Sequence, residues 1–88
     1  NVDINGGRFY MARISHQYLK RSDKSSNRIH ETVDATYSTF ISQGKKYFQI
    51  DTYGSRDRQH VGKISQSFQI DGDTAKHLIE LLKKEFNL

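Results

Sequence analysis

The sequence contains no cysteine, and only 34% of its 88 residues are hydrophobic. The absence of cysteine excludes a disulfide framework and any metal site with thiolate ligands, and it predicts an intracellular protein, cytoplasmic or, in a eukaryote, nuclear. No apolar run approaches the roughly 20 residues that a transmembrane helix needs, so we expect no membrane partner. A chain this short forms one domain, residues 1–88, with a thin core. Because such a core often gains stability from a second chain, we expect a homodimer.

Positive charge is concentrated in two polar segments. Residues 20–28 carry four cations and one anion, and residues 54–63 carry three cations and one anion. Their combined charge of +5 exceeds the net charge of the whole chain, which is +4, so the remainder is nearly neutral. Clusters of Lys and Arg bind polyanions by neutralising phosphates and releasing counterions. We therefore predict nucleic acid as the partner.

Alternating apolar and polar residues predict four strands, at about residues 8–15, 29–42, 46–53 and 63–70. The clearest strand is 46–53, where Phe48 and Ile50 face one side of the sheet and Tyr47 and Tyr53 face the other. Residues 29–42 are rich in β-branched and aromatic side chains, which favour strands. Residues 42–45 are predicted to form the turn between the second and third strands, and Asn5-Gly6-Gly7 predicts a tight turn near the N-terminus.

An amphipathic helix is predicted over about residues 73–87, because apolar residues recur there every three or four positions. The predicted fold is therefore α+β, a four-stranded antiparallel β-meander with one C-terminal α-helix packed on one face. The helix should cover the face that bears Phe48, Ile50, Ile64, Phe68 and Ile70. In a meander the first and third connections lie at the same end of the sheet, so the two basic segments should be neighbours.

The predicted nucleic-acid interface combines cationic loops with tyrosines on the uncovered sheet face. Arg56 and Arg58 lie in a loop bracketed by glycines, a shape that can place guanidinium groups on phosphates. Tyr47 and Tyr53 lie among hydrogen-bonding side chains, as is needed to stack unpaired bases. Asp51, between them, would repel a phosphate. The candidate nucleic-acid-binding residues are Lys20, Arg21, Lys24, Arg28, Tyr47, Tyr53, Arg56, Arg58 and Lys63.

Two other interpretations remain open from the sequence. Loop cations often serve only solubility, and strand tyrosines often fill a half-exposed sheet face or contact a protein. The alternative function is a protein-interaction module, such as an accessory or inhibitor of a nucleic-acid enzyme, of phage- or defence-associated type. An interaction of that kind would place Tyr47 and Tyr53 against a protein.

Catalytic chemistry has little support in the sequence. None of the four histidines lies at metal-ligand spacing beside a carboxylate, and His30 and Asp34 share a predicted strand without a nucleophile. The Glu/Asp-x-Lys element of a restriction-type nuclease is absent from every predicted strand. We therefore expect a protein without enzymatic activity, with no catalytic residue, no metal and no cofactor. An enzyme that uses His30 or His60 is the third and least favoured alternative.

Short segments resemble two families. Tyr47-Phe48-Gln49-Ile50-Asp51, then Gly62-Lys63-Ile64-Ser65, then a single long helix, is similar to the C-terminal domain of the positive-cofactor-four coactivators. The N-terminal Val2-Asp3-Ile4 and Arg8-Phe9-Tyr10-Met11 resemble the opening of a purine-rich-element-binding (Pur) repeat.

Both families have a four-stranded antiparallel sheet backed by a helix, dimerise, and bind single-stranded DNA or RNA. The resemblance implies that this chain does the same, with ligand contacts from Tyr47, Tyr53, Arg56, Arg58 and Lys63. The chain differs from these families in its long polar first loop and in its lack of tryptophan.

Overall fold

The structure is a computed structural model that describes residues 10–54 and 63–88. Its elements are β1 (Tyr10–Arg13), a 3-10 turn (His16–Tyr18), β2 (Ala35–Ser42), β3 (Lys45–Thr52), β4 (Gln66–Asp71) and α1 (Gly72–Phe86). The predicted α+β class and the C-terminal helix are confirmed. The second strand starts at Ala35 rather than near residue 29, since residues 29–34 interrupt the alternation with His30, Glu31 and Asp34.

The strand order is β1-β4-β3-β2, so the prediction of a purely antiparallel meander was wrong. Strands β2, β3 and β4 are antiparallel neighbours, but β1 lies at the far edge and pairs with β4 in parallel. The sheet is therefore mixed, and β1 and β2 run in the same direction. Strands that run in the same direction need a crossover connection of a dozen or more residues, which residues 14–34 provide. Sequence alternation identifies strands but does not reveal which edge each one joins.

This topology changes the position expected for the first basic segment. The connection from β1 to β2 runs from one end of the sheet to the other, so it is not a hairpin loop beside the third connection. Asp34, the last residue of the first connection, does reach the end of the sheet where the third connection begins, because the backbone N–H of Tyr53 donates to the Asp34 carbonyl at 3.0 Å. Arg56 and Arg58 of the second basic segment, and the predicted turn at residues 5–7, lie outside the described residues.

The β2–β3 hairpin has the predicted turn. Gln43 and Gly44 both adopt positive φ angles, of 51° and 77°. Two central residues with positive φ match the twist of a two-residue hairpin, and glycine accepts this conformation without steric cost. The turn sets the register, in which Ser42 faces Lys45 and the strands pair as far as Ala35 and Thr52.

The apolar side of the sheet is only partly covered. Ile50 lies between Tyr37 of β2 and Phe68 of β4, and Phe48 faces Ile70. A shallow cavity lined by Phe48, Ile70 and Ala75 shows that the first turns of α1 lie against this side. Of the described elements, α1 approaches β3, β4 and the 3-10 turn, and neither β1 nor β2. Consequently no hydrophobic side chain in the described part of the chain is buried.

The start of α1 is fixed by polar contacts. Asp71 caps the helix, since its Oδ1 accepts the backbone N–H of Thr74 at 2.9 Å. Thr74 is fully buried, and its Oγ1 accepts the backbone N–H of His16 at 2.9 Å. The His16 ring also lies beside the His77 ring, with centroids 5.7 Å apart. Thr74 therefore joins the crossover connection to the helix.

Replacing Thr74 with valine tests this junction. Thr74→Val keeps the shape of the side chain but removes the acceptor for the His16 N–H, and leaving such a group unsatisfied costs about 1–3 kcal/mol. We expect the free energy of unfolding, measured by urea denaturation, to fall by that amount. Thr74→Ser retains the hydroxyl and should lose less. Equal stability of the valine variant and the wild type would contradict this role.

Candidate nucleic-acid interface

The first basic segment, residues 20–28, is an irregular, solvent-exposed stretch that carries four cations. Every residue from 20 to 28 is exposed, and none belongs to a helix or strand. Arg21 donates to the Glu85 carboxylate at 2.9 Å, an ion pair that joins the segment to the last turn of α1. Within residues 10–54 and 63–88, Lys20, Lys24 and Arg28 form no ion pair. Their charges are therefore available to a ligand.

The crossover follows the helix from its first turn to its last. His16 lies beside Thr74 and His77 at the start of α1, and Arg21 reaches Glu85 near its end. The next cations of the helix, Lys83 and Lys84, occupy the same last turn and are exposed. Successive residues of an α-helix are separated by about 100°, so both lysines lie on other faces of the helix than Glu85.

The polar side of the sheet carries aromatic rings at both ends. Tyr47 is half-buried and stacks on Phe40, with ring centroids 5.3 Å apart and an interplanar angle of 16°. The Tyr53 hydroxyl lies 2.8 Å from the Thr36 hydroxyl, and Thr36 pairs with Asp51 on this side. Phe40, which is 37% exposed, was not among the residues predicted for the site. Only the register of β2 on β3 reveals its position.

Hydrogen-bonded side chains separate the two tyrosines. Asp51 Oδ1 accepts from Gln49 Nε2 at 2.9 Å and from Ser67 Oγ at 2.7 Å. Gln69 Nε2 donates to Gln49 Oε1 at 2.8 Å. These groups satisfy one another, and the carboxylate gives the centre of the polar side a negative charge. A phosphate chain is therefore disfavoured at this centre and favoured at the basic segment.

Asp71 is the last residue of β4, on the polar side of the sheet, and lies next to Lys45. Hydrogen bonds from the backbone and side chain of Thr74 lower the pKa of the Asp71 carboxyl and outweigh the opposing effect of desolvation; the charges of Lys45 and His16 make smaller contributions in the same direction as the hydrogen bonds. The Lys45 Nζ lies 3.8 Å from Asp71 Oδ2. Asp71 is therefore ionised at neutral pH and serves as a helix cap rather than as a proton donor.

The remaining candidate residues occupy separate positions. Lys63 is exposed and precedes β4. The nearby Ser65 N–H donates to the Thr52 carbonyl at 2.7 Å, so Lys63 lies at the same end of the sheet as Tyr53.

Among the described residues, no three His, Asp or Glu side chains cluster as metal ligands. His30 is exposed, and His60 lies outside the described residues. No helix in the described ranges is long and apolar enough to cross a membrane.

The ionisation of Asp71 predicts a pH-dependent stability. A carboxyl whose pKa is lowered by folding contributes stability above its unfolded pKa, about 3.9 for Asp. This contribution is lost as the pH falls through the folded pKa. Asp71→Asn keeps a good capping side chain without the charge. In thermal melts, the Tm of the wild type should exceed the Tm of this variant by a constant difference above about pH 5, and this difference should shrink toward pH 2. A difference that is independent of pH would contradict the assignment.

Comparisons with protein-family models, with curated proteins and with solved structures found no significant match. The resemblance to the positive-cofactor-four coactivators and to Pur repeats therefore stays a prediction.

Proposed function

We propose that this chain is a nucleic-acid-binding module that prefers single-stranded DNA or RNA. The observation that supports this function best is the exposed segment 20–28, which has a charge of +3 and lies beside the end of α1. When the cationic side chains of this segment neutralise phosphates, the counterions condensed on the nucleic acid are released, and this release is the main source of sequence-independent affinity.

The length of the first connection supports a binding role for it. Residues 19–34 contain no helix or strand, and nearly all of them are exposed. Connections beyond about 12–15 residues without secondary structure are uncommon in compact domains and are often binding loops or linkers. Crossing from β1 to β2 requires a long connection but does not require four cations in it. Solubility alone accounts for some surface charge, but a polyanion ligand accounts for the concentration of four cations within nine residues.

The aromatic rings on the polar side account for the preference for single strands. Bases in a duplex are stacked on one another, so only unpaired bases can lie on protein rings. Phe40 and Tyr47 form one platform and Tyr53 provides a second. The carboxylate of Asp51 and the amides between them can contact base edges, while its negative charge keeps phosphates at the rim. The proposed ligand therefore has two separate contacts: its phosphates bind the basic segment along α1, and its bases stack on the rings of the polar side.

A salt titration with two charge variants tests this function. Log Kd for a single-stranded oligonucleotide should rise linearly with log salt concentration, with a slope of about 0.7 per neutralised phosphate. Lys20→Ala with Lys24→Ala should weaken binding and reduce the slope by about 1.4, because two phosphate contacts are lost. The matched control is Lys46→Ala with Lys76→Ala, two exposed lysines away from the segment. Fluorescence anisotropy measures all the constants.

The comparison between the two variants distinguishes local from general charge effects. If both double variants lower the slope equally, only the net charge matters and the basic segment is not a site. A wild-type chain that binds a duplex of the same sequence more tightly than the single strand would exclude the stacking role of the rings.

A second function, a protein-interaction module, is favoured by the exposed apolar stripe of α1. Ile79, Leu82 and Phe86 are 52%, 48% and 68% exposed. Contiguous apolar surface of this kind marks contacts with other proteins. This surface differs from the tyrosine-bearing side that the sequence analysis suggested for a protein partner. An accessory or inhibitor of a nucleic-acid enzyme would bind its target through this stripe.

Capture of a partner after nuclease treatment tests the second function. An immobilised chain should retain a partner protein in 1 M salt, because apolar contacts are not weakened by screening. Phe86→Asp should release this partner, and the Lys20→Ala, Lys24→Ala variant should retain it. Release of every bound protein by nuclease would exclude this function and leave the first.

A further inference from the structure

Strand β2 has an edge that no described residue protects. In the described part of the chain it pairs on one side only, with β3, and all eight of its residues are exposed. Its sequence, Ala-Thr-Tyr-Ser-Thr-Phe-Ile-Ser, contains no charged residue and no proline. The register with β3 continues without interruption over all eight positions. Edges of natural sheets are normally protected by charges, prolines, bulges or short strands, and β2 has none of these features.

The opposite edge of the sheet shows the usual protection. There the described residues of β1, Tyr10–Arg13, end in the charged Arg13. A charge on an edge strand resists pairing with another chain. The two edges therefore differ in the property that controls edge-to-edge association, and the long uncharged edge belongs to β2.

We propose that β2 pairs with β2 of a second copy of this chain in antiparallel orientation. The two sheets then form one continuous sheet of eight strands. Such pairing satisfies the outward-pointing backbone N–H and C=O groups of β2. It gives a location to the homodimer expected from the thin core, and it does not depend on the proposed nucleic-acid function.

The exposed side chains select one register. A two-fold axis perpendicular to the sheet leaves each residue on the same face in both copies. Residues that pair across the axis must point to the same face, and side chains alternate along a strand, so the numbers of two paired residues must have an even sum. With the axis at Thr39, Tyr37 faces Ile41 of the second copy, and Ile41 faces its Tyr37. These side chains are 74% and 71% exposed. Pairs of an aromatic and a β-branched residue are favourable across strands.

Neighbouring registers lack this match. With the axis at Ser38, Tyr37 would face Thr39 of the second copy, and Ile41 would face Ala35. The two large apolar side chains would then meet small or polar ones. The register centred on Thr39 is the one that covers both.

Charge also favours a second copy at this edge. The chain carries a net charge of +4, so two copies repel each other over most surfaces. An uncharged strand places no like charges opposite one another, and such pairs are destabilising across strands. The cations of residues 20–28 lie beside the last turn of α1, which does not approach β2. Pairing at β2 therefore joins the two copies along a strand that carries no charge.

The lack of native cysteine allows a direct test by cross-linking. In the proposed register Thr39 faces itself across the axis, so Thr39→Cys places two thiols within disulfide range. Ser38→Cys is the matched control, because Ser38 faces position 40 of the second copy and its own counterpart lies too far away. With oxidised glutathione, Thr39→Cys should form a covalent dimer at least tenfold faster than Ser38→Cys. Equal rates would overturn the register.

Sedimentation equilibrium tests the dimer without a cross-link. The wild type should show a concentration-dependent dimer, and Thr39→Lys, which places two ammonium groups opposite each other, should be monomeric. Thr39→Val should remain a dimer, and circular dichroism should show all three chains folded. A wild type that stays monomeric at 200 μM would overturn the proposal. So would a Thr39→Lys variant that still dimerises, because the copies would then associate through another surface, such as the stripe of α1.

Discussion

The hydrogen bond from the backbone N–H of His16 to the buried hydroxyl of Thr74 is the contact on which the arrangement of this protein depends. In the described residues neither the sheet nor the helix buries an apolar side chain completely, so packing alone places α1 only loosely. The cap of Asp71 on Thr74 sets the start of the helix, and the contact with His16 fixes the crossover against it. One short polar side chain thus connects three parts of the chain.

The path of the crossover determines the separation of charge and apolar surface. Because residues 14–34 must carry the chain from the β1 edge to the β2 edge, they pass along α1 and bring their cations to its last turn. The polar side of the sheet keeps a central carboxylate between its aromatic rings. A phosphate chain and unpaired bases would find complementary groups at different places on the same molecule, which is the basis of the proposed function.

The thin core has a second consequence. A helix that contacts β3 and β4 but not β2 leaves Tyr37 and Ile41 exposed on the sheet, and it leaves part of its own stripe exposed as well. Burial of apolar area is the main favourable contribution to folding, and it is small for a chain of this length. Association with a second copy through β2 would extend the sheet and bury these side chains. The edge of β2 and the stripe of α1 are distinct surfaces, so a dimer and a further partner are compatible.

The amino-acid sequence by itself determined the elements of this protein. Alternation located β3 and β4, the Gln43-Gly44 turn set the hairpin, and the spacing of Ala75, Leu78 and Leu82 defined α1, because these patterns are local. The tertiary structure decided which of these elements are neighbours. The parallel pairing of β1 with β4, the junction at Thr74, and the ion pair between Arg21 and Glu85 all join residues far apart in the chain. Such contacts arise from strand order, and strand order leaves no periodic signal in a single sequence.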